Sequence, residues 1–137
     1  MSDSKKMPTS PHLQIYSWSV SSFTSIMHRF TGILLYISVI LISWYIVYYT
    51  YQIGALESQE QCDCPIKNLM NILFIGAAIA LTFSLYYHFL NGIRHLFWDI
   101  GKGFDKKRAQ INGLLVIASA KILTVLTIIA VIYFNYY

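Results

Sequence analysis

The 137 residues are 56% hydrophobic and only 12% charged, with a formal net charge of +4 and a mean hydropathy of +0.53. A soluble domain of this size needs a charged surface, so the composition excludes one and points to a chain embedded in a membrane. No flavin, nucleotide or iron–sulfur domain fits in the polar remainder, so any chemistry must use a bound cofactor or a partner chain.

In chain order, residues 1–29 form a polar N-terminal segment that includes the start of helix one, and residues 30–137 form the anchor. The segment lacks an early apolar core, and residues 1–9 carry Asp3 but no arginine. Neither a secretory signal nor an Arg-rich presequence is expected, which favours a bacterial chain or one made inside an organelle. Three apolar stretches follow, at about 30–51, 69–98 and 111–136. Each can cross a bilayer, which takes roughly 20 residues at 1.5 Å rise. The expected fold is an all-α membrane protein of three transmembrane helices. The second stretch is longer than a bilayer requires, so its end is expected to tilt or project into the interface.

Basic residues near helix ends set orientation. Lys5, Lys6 and Arg29 precede the first helix, and Lys102, Lys106, Lys107 and Arg108 lie between the second and third. The other connection has only Lys67, beside Glu57, Glu60 and Asp63. The N-terminus is therefore expected in the cytoplasm or matrix and the C-terminus on the opposite side. The basic run reads as topogenic rather than as a nucleic-acid patch. Trp44, Tyr45, Tyr48, Tyr49 and Tyr51, then Tyr133, Tyr136 and Tyr137, and Trp98 at the inner end, read as interfacial anchors.

Ionisable groups inside a membrane are costly and mark functional sites by default. Helix two carries His88, Arg94, His95 and Asp99. At 100° per residue His95 and Asp99 project within about 20° of His88, and Gly92 leaves room beside it for a flat group such as haem. His88 and His95 are about 10 Å apart along the axis, too far to ligate one iron from both sides. No other histidine suits the second position: His12 lies in the polar segment, and His28 is expected at the inner end of helix one, shallower than His88. The missing ligand is therefore expected on another subunit. From spacing alone, a hydrogen-bonding role between helices is the ordinary reading of a membrane histidine such as His88. His95 could pair with Asp99 or, with Arg94, meet haem propionates.

A second polar group, Ser25 and Arg29, stands four residues apart and shares a face if the helix has already begun. A hydroxyl and a guanidinium so placed can hold a quinone carbonyl and stabilise negative charge developing on it. A helix N-cap and a headgroup anchor are the alternatives.

Three motifs extend this reading: Ser10-Pro11-His12-Leu13-Gln14-Ile15-Tyr16, then Ser25-Ile26-Met27-His28-Arg29-Phe30-Thr31-Gly32, then the run from His88 to Asp99 with Gly92, Arg94 and His95. In order and spacing they resemble the cytochrome b556 subunits of succinate dehydrogenase (respiratory complex II), of the α-proteobacterial and mitochondrial type, over about residues 8–136. The resemblance implies that His88 is an axial ligand of haem b, with the other ligand on the smaller anchor subunit. It implies that Ser25 and Arg29 line the ubiquinone site, and that His28, Arg29 and His95 lie near the propionates. It also implies a flavoprotein and an iron–sulfur subunit as partners, in a bacterial inner membrane or the mitochondrial inner membrane. The competing expectations are a self-contained di-haem cytochrome b and a structural anchor without quinone chemistry.

The resemblance leaves some residues unexplained. Lys121, well inside the third stretch, either snorkels to the inner interface or faces a partner helix. Cys62 and Cys64 are expected as free thiols. For Ser10-Pro11-His12 the resemblance implies a structural N-terminal arm against the iron–sulfur subunit.

Overall fold

The computed structural model describes residues 18–52 and 65–137. His12, Cys62 and Cys64 therefore lie outside the described residues. Three helices make up nearly all of it: α1 Val20–Gln52, α2 Pro65–Asp99 and α3 Lys106–Tyr136. At 1.5 Å per residue they run about 46–52 Å, longer than the roughly 30 Å hydrocarbon layer, so their ends stand clear of it. All three are long and apolar enough to cross a membrane. The chain is an all-α, multi-pass membrane protein.

Local chemistry sets the helix ends. Ser19 caps α1: its Oγ accepts from the Ser22 N–H at 3.2 Å and its carbonyl from the Phe23 N–H at 3.1 Å, satisfying donors that a helix start leaves open. Helix one thus begins ten residues before the expected start at about Phe30. Hydropathy misses those turns because their serines and threonines are polar, yet they form helix because their hydroxyls have partners inside the bundle. Helix three likewise starts earlier than expected, at Lys106, and α2 at Pro65, a residue suited to a first turn. The end of α2 is a Schellman turn. The Lys102 N–H reaches the Phe97 carbonyl at 3.0 Å and the Gly101 N–H the Trp98 carbonyl at 2.8 Å. Gly101 has φ +80°, the left-handed conformation that glycine adopts without penalty.

Helix α2 packs against both neighbours, and α1 and α3 meet more lightly. The apolar core is small: Tyr87, Val116 and Ala120, with Met27, Phe83, Leu90 and Ile117 against it. Large aliphatic and aromatic side chains face outward instead, and Thr24, Thr31, Ser84, Asn91, Arg94 and Thr124 are buried. This inversion suits lipid, where apolar burial does not drive helices together and close approach and hydrogen bonds do. Ala109, Gly113, Val116, Ala120 and Thr124 form the buried face of α3. Buried hydroxyls turn back on their own helices, as from Ser84 to the Ala80 carbonyl and Thr124 to the Ala120 carbonyl, both at 2.8 Å, so these hydroxyls are not left bare in hydrocarbon.

Candidate functional site

Because α1 begins early, His28 sits on its third turn and reaches the level of His88 on α2. The two rings stack, with centroids 4.0 Å apart and planes 10° from parallel. His95 completes a cluster, its ring 5.3 Å from His28 and edge-on to Trp98 at 5.0 Å. The expectation that His28 lies too shallow to approach His88 is corrected here, and the cause is the early helix start. Stacking still does not make the pair a bis-ligand site. Rings stacked face to face at 4.0 Å leave no space between them for a flat cofactor held by both.

His88 is held from behind. Its Nδ1 lies 3.2 Å from the His28 carbonyl and 3.3 Å from Thr31 Oγ1. A carbonyl only accepts, and the Thr31 hydroxyl hydrogen is directed at the Met27 and His28 carbonyls, both 2.9 Å away. Nδ1 therefore carries the proton and donates to both, and Nε2 keeps its lone pair. Gly32 makes this possible. A β-carbon there would stand 3.0 Å from His88 Cε1, too close for the ring to stay. Beside His88 an open groove of about 350 Å³ is lined by Phe89, Gly92, Ile93 and Leu96, an apolar wall suited to a flat hydrophobic group.

Ser25 and Arg29 line one groove of about 400 Å³ with Ser21, Ser22, Ile26 and Trp98. Arg29 is exposed and Ser25 half-buried. Trp98, read from sequence as an interfacial anchor, instead touches the histidine cluster and this groove at once. No sequence signal distinguished it from the other belt aromatics.

Arg94 departs from its expected place. It precedes His95 by one residue, so it turns about 100° around α2 from that ring and enters the bundle, where it is 4% exposed. Nη1 donates to Thr24 Oγ1 at 2.6 Å and Asn91 Oδ1 at 3.2 Å. Nη2 donates to Ser21 Oγ at 3.1 Å and the Ala109 carbonyl at 3.0 Å. The guanidinium carbon lies 4.2 Å from the Trp98 ring centre. One side chain thus ties together the start of α1, the last turns of α2 and the start of α3. Around it, Thr24 offers its carbonyl to the Tyr87 hydroxyl at 2.9 Å and to Asn91 Nδ2 at 3.4 Å. His95 makes ring contacts and, among the described residues, no hydrogen bond to Asp99.

Among the described residues the buried side-chain nitrogens without a protein partner are His28 Nδ1, Arg94 Nε and Trp98 Nε1. All three belong to the cluster formed by the start of α1 and the last turns of α2. Unspent hydrogen-bonding capacity is rare in folded chains and concentrates where function needs it.

Comparison with known proteins gives the same location a lineage. The family described as "Succinate dehydrogenase/Fumarate reductase transmembrane subunit" matches residues 3–128. The chain is 40% identical over 121 residues to the succinate dehydrogenase cytochrome b556 subunit of Rickettsia conorii, covering 88% of this chain and 90% of that protein. It is 34% identical over 122 residues to the cytochrome b556 subunit of Paracoccus denitrificans, covering 89% of each. With the mitochondrial cytochrome b560 subunit of Homo sapiens it shares 39% identity over 126 residues, covering 88% of this chain and 66% of that protein. With three helices long and apolar enough to span a membrane and a histidine cluster where α1 meets α2, the chain belongs to the succinate dehydrogenase/fumarate reductase transmembrane subunit family, as a succinate dehydrogenase cytochrome b membrane subunit.

Proposed function

We propose that this chain binds haem b jointly with a second, smaller membrane anchor and forms part of the ubiquinone reduction site of succinate dehydrogenase. The observation that carries this reading is the state of His88. Its Nδ1 is committed to the His28 carbonyl and Thr31, which leaves Nε2 as the free lone pair, the arrangement by which a carbonyl behind an imidazole orients it for a metal. The groove along Phe89, Gly92 and Leu96 would hold the macrocycle. His28, His95 and the exposed Arg29 provide polar and cationic groups for propionates, while Arg94 acts one step back by fastening the helices that carry them. When bound, the haem supplies one-electron redox chemistry in an apolar setting. The second residue to hold the haem would come from the second anchor.

Ser25 and Arg29 are assigned to the quinone. Lining one groove, they hold a quinone carbonyl and stabilise the negative charge it gains on reduction. Succinate oxidation belongs to a flavoprotein subunit, with an iron–sulfur subunit delivering electrons to this groove. The positive-inside bias puts the N-terminus and the connection between α2 and α3 in the cytoplasm or matrix.

Purification from native membranes tests the whole reading. It predicts co-purification with a flavoprotein and an iron–sulfur protein, and one b-type haem per copy of this chain in a reduced-minus-oxidised spectrum. Two haems per copy would favour a self-contained di-haem cytochrome, and no b-type band a purely structural anchor.

A further inference from the structure

Trp98 stands one residue before the end of α2, and three groups hold its indole. The Arg94 guanidinium lies over the ring at 4.2 Å. The Phe104 ring stacks on it, 6.3 Å between centroids with planes 20° apart, and His95 meets it edge-on at 5.0 Å. The turn after α2 makes the Phe104 contact possible. Gly101 and Gly103 have φ of +80° and +86°, conformations that suit glycine and reverse the chain so that Phe104 returns to the helix end.

A belt tryptophan keeps its N–H in water or among headgroups. Trp98 Nε1 is instead buried and, among the described residues, has no hydrogen-bond partner. The side chain lines the groove of about 400 Å³ that holds Ser25 and Arg29. Ser21, Ser22 and Ile26 complete that lining, so the aromatic wall, among the described residues, is Trp98. Ligand sites pair a few polar groups with apolar walls. Ser25 and Arg29 address a carbonyl, and neither offers a surface to the flat body of a ring. Ile26 is an exposed aliphatic chain on α1, whereas Trp98 comes from α2 and is clamped in place.

We infer that Trp98 is a substrate-contacting specificity residue of this groove: the quinone ring packs against the clamped indole while Ser25 and Arg29 hold its carbonyl. The inference rests on the proposed quinone role of the groove. Contact with the indole adds affinity for the ring before and after reduction alike, so it sets binding rather than the electron-accepting step.

Two measurements on the purified complex test it. Trp98→Leu keeps an apolar side chain but loses the flat wall, and Trp98→Phe keeps a flat one. Trp98→Leu should raise KM for a short-chain ubiquinone about tenfold with kcat within about threefold, the mark of lost uniform binding. Dye-linked succinate oxidation and haem per chain should change by less than about twofold, and Trp98→Phe should stay within about threefold of the unsubstituted KM. An unchanged KM in assembled Trp98→Leu complex overturns the inference. The second measurement needs no substitution and decides the matter if the variants do not assemble. A ubiquinone analogue with a photoreactive azide on its ring is illuminated in the unsubstituted complex. Label that excess ubiquinone displaces is expected on the peptide containing Trp98 as well as on that containing Ser25 and Arg29. Label on the Ser25 and Arg29 peptide with none at Trp98 overturns the inference alone. If the groove takes no quinone, neither peptide is labelled and Arg29→Ala leaves quinone reduction intact, and the underlying reading falls with it.

Discussion

The stacked rings of His28 and His88, 4.0 Å between centroids, join α1 and α2 at a level where the backbone of the first also holds the side chain of the second. The His28 residue acts twice, its ring covering one face of His88 and its carbonyl fixing Nδ1. Any ligand reached through His88 is therefore positioned by α1, although the ligating group stands on α2.

Gly32 offers a sensitive probe of that positioning. An added β-carbon would lie 3.0 Å from His88 Cε1, so Gly32→Ala must push the ring aside by a few tenths of an ångström and stretch hydrogen bonds already at 3.2 and 3.3 Å. Haem retention should weaken by about 10-fold, the lower end of what disturbing the support of a metal ligand costs. Haem per chain after purification measures it. Gly76→Ala, with nothing within 4 Å of the added carbon, should leave it unchanged.

Arg94 makes a different prediction, about stability. Its guanidinium meets four neutral acceptors on three helices, and charged hydrogen bonds in a buried setting matter more than neutral ones. Arg94→Leu should destabilise the complex by about 2–4 kcal/mol, read as a lower temperature for release of the membrane chains. Arg94→Lys should recover less than half, because an ammonium cannot reproduce the planar fork. A complex with leucine at this position that is as stable as the parent would remove Arg94 from its fastening role.

At the Ser25 and Arg29 groove, substitutions should divide two activities. Arg29→Ala should lower succinate-dependent ubiquinone reduction by about 100-fold, the scale of losing one stabilising donor, and Ser25→Ala by about 10-fold. Succinate oxidation with an artificial dye should change by less than about twofold in both, since the dye takes electrons before the groove. Equal loss of the two activities would mean failed assembly rather than a damaged quinone site.

Much of this was legible before any coordinates. Hydropathy and spacing alone give the three helices, and the motifs around Ser25 and His88 give the cluster. Two things were not legible, for physical reasons. The first turns of α1 read as polar and were placed before the helix, because hydropathy cannot know that Ser21 and Thr24 are satisfied by Arg94 across the bundle. His28 was consequently set too shallow. The direction of Arg94 was also hidden: adjacent to His95 in sequence, it lies a quarter-turn away in space, and only the packing of α1 and α3 decides which side of α2 is interior. Thr31 sat within a recognised motif but had no assigned part until its hydroxyl was found against His88.

The most direct measurement is the reduced-minus-oxidised spectrum of the purified complex with His88→Leu, taken beside His28→Leu. If His88 Nε2 ligates the haem iron, the b-type band disappears or changes its form in the first. In the second it persists with at most a shift, because the carbonyl that orients His88 belongs to the backbone and survives the substitution. An intact, unshifted b-type band in assembled His88→Leu complex would contradict the assignment on which the site is built.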